Sequence, residues 1–149
     1  MKLLVLCHGN INRSPLCAAI INKRSRKHTA ISAGFVNPDK PATKKMREAA
    51  LALGYDLAGH RSKLVTQELV TWADRVILMD LANAKRFVAA GLQKPNDQVH
   101  LLGEWATPKR VRVPDPAFMK AEGPEFTAVV QLIEQATLAM CQALPKGGA

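Results

Sequence analysis

The sequence predicts an α/β fold, a three-layer sandwich with a four-stranded parallel sheet and helices on both faces. Three observations point there. Short apolar runs of strand length alternate with helix-length amphipathic segments along the chain. Two of the runs, residues 2–6 and 75–79, are apolar after their first residue, as in strands buried on both faces, and not polar at every second position. The first run leads through a Gly- and Asn-containing turn straight into a helix, the opening of a βαβ unit. No internal repeat and no linker interrupts the pattern, so residues 1–149 are read as one domain.

Residues 2–6 form the first strand. Ser14-Pro15 reads as N-cap and first helical position, and the helix runs to about residue 26 with Leu16, Ala19, Ile20 and Lys23 at helical spacing. Residues 29–32 are the second strand, ending at Ala33-Gly34, and 35–41 a loop with two prolines. Residues 42–53 make a helix stopped by Gly54, and Thr66 caps a short helix towards Trp72. Residues 75–79 are the third strand, 81–90 a helix stopped by Gly91, and 99–102 the fourth strand. Residues 103–123 read as loop. Residues 124–144 form a long helix whose apolar face holds Phe126, Val129, Val130, Ile133 and Leu138.

Hydrophobic residues make up 48% of the chain and charged residues 22%, which excludes a disordered protein. Aromatics at 5% leave the core to Leu, Val, Ile and Ala. The 21 Lys and Arg against 12 acids give a net charge of +9, which favours anionic partners. The densest basic stretch, residues 23–28, fits a solvated helix end. Three cysteines, Cys7, Cys17 and Cys141, with no Cys-x-x-Cys pair argue against a disulfide framework or structural zinc. They fit reduced thiols in a cytoplasmic protein. Leu4-Val5-Leu6-Cys7 lacks the small residue of a lipoprotein cleavage box, and no run is long enough for a membrane span.

Ligands of parallel sheets sit at the carboxyl ends of the strands, so the first turn is where chemistry is expected. It reads Cys7-His8-Gly9-Asn10-Ile11-Asn12-Arg13-Ser14-Pro15. Successive backbone N–H groups and a helix start make a nest for a tetrahedral anion, a phosphate-binding loop. Gly9 lets the chain approach the anion, and Asn10 tolerates a left-handed conformation. Arg13 can grip two phosphate oxygens through its planar fork. Cys7 lies at the base, where the positive field favours a nucleophilic thiolate, and Ser14 can donate its hydroxyl to the sulfur. A leaving alcohol needs a general acid. Asp115, between Pro114 and Pro116 on a stiffened loop, is the candidate.

The pattern Cys-x-Gly-Asn-Ile-x-Arg-Ser-Pro near the start, with Asp-Pro late in the chain, resembles the low-molecular-weight protein tyrosine phosphatase family and its relatives, the thioredoxin-coupled arsenate reductases. Ser32-Ala33-Gly34 and residues 73–80 (Ala-Asp-Arg-Val-Ile-Leu-Met-Asp) with Asn83 are similar to later family motifs. The resemblance covers nearly the whole chain. It implies a metal-free and cofactor-free two-step phosphatase acting on phosphotyrosine or aryl phosphate monoesters in phosphorylated proteins. Cys7 would be nucleophile, Arg13 phosphate clamp, and Asp115 acid and then base. Asn10, Ser14 and Ser32 would form the hydrogen-bond network that holds the loop. The default assembly is a monomer.

The sequence also departs from the family pattern. The position before the arginine is Asn12 where members commonly have a second cysteine, so the nucleophile lacks that disulfide partner. Ala117-Phe118 stands where a tyrosine pair is usual, and the loop after Gly34 is short. Phe35 and Phe118 are the residues left to wall the substrate. Ile11 resembles the tyrosine-directed branch, since the arginine-directed branch has threonine there. An arsenate reductase is one alternative, although residues 79–88 lack its relay cysteines and Cys141 is far along the chain. A phosphate- or nucleic-acid-binding module without turnover is another, motivated by the +9 charge. Cys17 is expected to point away from the loop and His8 to face solvent. His60 reads as a structural hydrogen-bonding residue, His28 and His100 as surface or strand-edge residues, Trp72 and Trp105 as packing, and Asp80 as support for the following helix.

Overall fold

A computed structural model describes residues 1–147. Four strands, β1 (Lys2–Leu6), β2 (Thr29–Ala33), β3 (Arg75–Leu78) and β4 (Val99–Leu101), form one parallel sheet in the order β2-β1-β3-β4. The helices are α1 (Arg13–Arg24), α2 (Lys44–Ala52), α3 (Gln67–Trp72), α4 (Leu81–Ala89) and α5 (Pro124–Ala143). The chain leaves β1 towards β2 on one side and later returns to place β3 on the other. The crevice at the carboxyl end of β1 and β3 is therefore the switch point of the sheet.

Strand periodicity divides the core into two layers. Leu3, Val5 and Cys7 face one layer with Ile77, α1 and α5. Leu4 and Leu6 face the other, with Val76, Leu78, Val70 and Phe87. β1, one of the two inner strands, is closed to solvent from Leu3 through Leu6, which is why its sequence shows no alternation. No helix among the described residues is long and apolar enough to cross a membrane.

The predicted elements appear with shifted ends. α2 begins two residues later than the pattern suggests because Thr43 is its cap, accepting from the Met46 N–H. Thr66 caps α3 and Asp80 caps α4 in the same way. α1 begins at Arg13, with Asn12 and not Ser14 in the cap position, and ends at Arg24. The 103–123 stretch contains a 3-10 turn, Leu102–Trp105.

Two expectations about the basic stretch change. It is a strut as well as a solvated end: Arg24 donates to the Tyr55 hydroxyl at 3.3 Å, and Lys27 to the Leu144 carbonyl at 3.4 Å. His28 is not a surface residue but is buried between the Met1 nitrogen and the Cys141 carbonyl, at 3.0 and 3.2 Å. Burial and the neighbouring amino group push its pKa below the usual imidazole value. The unfolded chain takes up that proton near pH 6.5 while the folded chain resists it, so stability declines as pH falls below about 6.5. Thermal melts between pH 7.5 and 5.5 should show Tm falling less steeply for His28→Asn than for the parent; equal slopes would exclude His28 as a contributor.

Candidate active site

Cys7 follows the last residue of β1 and keeps its alternation, so its side chain turns towards α1 and is buried. There its sulfur lies 2.9 Å from the Ser14 hydroxyl oxygen and 3.5 Å from the Ser14 N–H. The Ser14 oxygen already accepts from the Asn10 amide at 2.8 Å, which turns its own proton to the sulfur. Two donors converging on one sulfur suit a negatively charged acceptor. This explains the shifted helix start. The Ser14 hydroxyl serves Cys7 and is unavailable for capping, while the Asn12 carboxamide accepts from the Thr43 hydroxyl. The first N–H groups of α1 are left without a side-chain cap.

The loop is held from outside through its carbonyls. His8 O accepts from Phe35 N at 2.8 Å, Asn10 O from His60 Nε2 at 2.6 Å, and Ile11 O from Thr43 N at 3.1 Å. In a trans peptide the N–H points opposite to the C=O, so carbonyls fixed outward aim the following N–H groups inward. Among the described residues, none of the backbone N–H groups from His8 through Arg13 donates to a protein acceptor. Such a run of unpaired donors is an anion nest.

Asn10 is the pivot. Its φ of 55° is left-handed, as its residue type allows, and its Oδ1 accepts from the Lys63 N–H at 3.0 Å. His60, donating to a carbonyl, must carry its proton on Nε2. Burial, with help from Lys63, pushes its pKa down and favours that neutral form. Ser32 does not join the network as the resemblance implied. It is buried on β2 but makes no side-chain hydrogen bond to Asn10 or Ser14 among the described residues. The backbone of Lys63 and the His60 ring do that work instead. The tight approach is at Gly34, where a Cβ would stand 2.9 Å from Asn10 Cβ and 3.0 Å from His8 O. At Gly9 a Cβ would meet only Ile11, at 3.5 Å.

Arg13 is almost wholly buried. Its Nη1 donates to Asp80 Oδ2 at 2.7 Å and to the Val113 carbonyl at 2.9 Å. Nε and Nη2 take no hydrogen bond among the described residues, and Nη2 lies 3.7 Å from Asp115 Oδ2. Asp80, expected only to support its helix, thus does two things at once: Oδ1 caps α4 and Oδ2 anchors Arg13. The available clue was an acid at the carboxyl end of the strand next to β1. Asp115 is half exposed and accepts from the Ala117 N–H at 3.0 Å. His8 is half-buried, Phe35 leans on the second apolar layer, and Phe118 is fully exposed, so the two aromatic side chains do not form a preassembled wall.

The sequence model of the low molecular weight phosphotyrosine protein phosphatases matches residues 2–148. The chain belongs to this family. A probable low molecular weight protein-tyrosine-phosphatase, EpsP of Ralstonia solanacearum, is 34% identical over 68% of this chain and 70% of its own length. Wzb of Vibrio vulnificus, solved with benzylphosphonate, superposes with a TM-score of 0.86 at 27% identity, covering 96% of this chain and 98% of that one. The arginine phosphatase YwlE, solved as a mutant with a phosphorylated active-site serine, gives 0.82 at 26% identity, covering 95% and 94%. Membership makes the chain a cysteine-based phosphotyrosine phosphatase, and the arsenate reductase alternative is not favoured. The remaining thiols fit that outcome. Cys17 is buried, accepts from Thr137 on α5 at 3.3 Å, and has its pKa pushed up to about 12 by burial. Cys141 is also pushed up by burial.

Gly34→Ala should therefore lower stability by ~1–3 kcal/mol through overpacking against the loop backbone and reduce activity with it. Gly9→Ala should leave Tm unchanged and weaken competitive inhibition by inorganic phosphate. Denaturation and inhibition measurements separate the two; a stable, fully active Gly34→Ala would refute the close-approach argument.

Proposed function

We propose that Cys7 is the nucleophile, Arg13 the phosphate clamp and Asp115 the general acid and base of a phosphotyrosine phosphatase contained in residues 1–149. The observation that carries this is the Cys7 sulfur under two Ser14 donors, at the base of a loop whose N–H groups from His8 through Arg13 have no protein acceptor among the described residues. Cys7 Sγ attacks phosphorus as the ester oxygen departs with the proton of Asp115, giving a cysteinyl phosphate and free phenol. Water then attacks phosphorus, losing its proton to Asp115, and the thiolate and inorganic phosphate are released. The nest N–H groups and Nε and Nη2 of Arg13 bind the three non-bridging oxygens, over which the charge is spread in the transition state. An arriving dianion replaces Asp115 as the partner of Nη2 and frees the carboxyl for the leaving oxygen.

Several observations support an aryl phosphate substrate. Cys7 is only 3% exposed, so a phosphoryl group on a long aryl arm reaches it more easily than one on serine. The Vibrio vulnificus relative binds benzylphosphonate, an aryl phosphate analogue. Ile11 resembles the tyrosine-directed branch. In this reading the enzyme is a cytoplasmic monomer acting on phosphorylated proteins and not on nucleic acid.

Cys7→Ser should lose turnover of p-nitrophenyl phosphate to background, and retained activity would remove Cys7 from the mechanism. Asp115→Asn should slow hydrolysis by ~10²–10⁴-fold. A comparison of kcat/KM for phosphotyrosine, phosphoserine and phosphoarginine peptides should rank phosphotyrosine first. Preference for phosphoarginine would overturn the substrate assignment.

A further inference from the structure

The acid loop is held on both sides of Asp115, and only one side belongs to the site described above. On the amino side, Val113 donates its N–H to Met79 O at 2.8 Å and accepts from Arg13. On the carboxyl side Pro116 is buried and Met119 leans on the core, and the loop's carbonyls are gathered by an ammonium, Lys45 Nζ on α2. It donates to the carbonyls of Pro116, Ala117 (3.2 Å) and Met119 (2.8 Å). A lysine has three donors and no acceptor, so these carbonyls saturate it. Its cation also stands 5.4 Å from the centre of the Phe126 ring on α5, an attractive placement. All three donors of this partly buried lysine are thus committed to the backbone of the acid loop.

We propose that Lys45 is a positioning residue for the general acid. The peptide linking Pro116 to Ala117 presents its carbonyl to Lys45 and its N–H to Asp115 Oδ1 at 3.0 Å. These groups point in opposite directions from one planar unit. Fixing the carbonyl on Lys45 therefore fixes the N–H that orients the carboxylate. The geometry assigns α2 a role in proton delivery to the leaving group, although among the described residues only its cap, Thr43, makes a side-chain hydrogen bond to the phosphate loop. The inference rests on Asp115 being the acid.

The test is leaving-group dependence. Phenyl phosphate needs a proton on its departing oxygen, whereas 2,4-dinitrophenyl phosphate does not. Lys45→Met keeps the aliphatic stem, and Lys45→Gln provides a second variant should Met fold poorly. The expected result is a loss in kcat/KM of ~10-fold or more for phenyl phosphate and of about twofold or less for 2,4-dinitrophenyl phosphate. Added to Asp115→Asn, the Lys45 substitution should cost little further, because both act on one step. Equal losses on both substrates, or a full multiplicative loss in the double variant, would make Lys45 merely structural and overturn the proposal. If Asp115→Asn itself shows no leaving-group dependence, the acid assignment fails first and the role of Lys45 falls with it.

Discussion

The backbone between His8 and Arg13 must keep its N–H groups away from every protein acceptor, and much of the surrounding structure follows from that constraint. A helix start ordinarily satisfies its first donors with a Ser, Asn or Asp side chain. Here Ser14 and Asn12 are both present and both diverted, one to Cys7 and one to Thr43. The donors are aimed by fixing the opposite end of each peptide, so Phe35, His60 and Thr43 matter through the carbonyls they hold. These three come from segments remote in sequence, and the nest is a property of how they pack around β1.

Electrostatics at the site is layered in the same way. A buried guanidinium is costly unless it is paired and hydrogen-bonded. Asp80 and the Val113 carbonyl meet that need on one edge of Arg13, leaving the opposite edge for an incoming dianion. Asp115 waits at 3.7 Å from that open edge, too far for a hydrogen bond and close enough to be displaced by a phosphate. The net charge of +9 adds a general attraction for anions but does not choose the site; the choice is made by one strand end and one helix start.

The scaffold makes this arrangement rigid. Leu3, Val5 and Cys7 share a face, so the packing that fixes the register of β1 against β2 and β3 also fixes the direction of the sulfur. A slip of one residue would turn Cys7 towards the α3–α4 layer and away from Ser14. The same packing brings Gly34, at the end of β2, against the back of Asn10.

By itself, the sequence determined the order of strands and helices, the two-faced burial of β1, and the cluster from Cys7 to Ser14. Hydrophobic period, turn chemistry and capping residues are local properties, and the nucleophile, its Ser14 donor and Arg13 lie within one turn of chain. Even there it misjudged the helix cap, because Ser14 has two local partners to choose between and only the position of Cys7 decides. Tertiary structure alone decided what depends on segments far apart. It placed Asp80 behind Arg13, the His60 ring and the Lys63 backbone where Ser32 had been expected, His28 in the interior, and Lys45 under the acid loop. Apart from the Asp80–Arg13 ion pair, these are contacts to backbone carbonyls and N–H groups, which nearly every residue possesses. No side-chain pattern marks which of them a distant His or Lys will find.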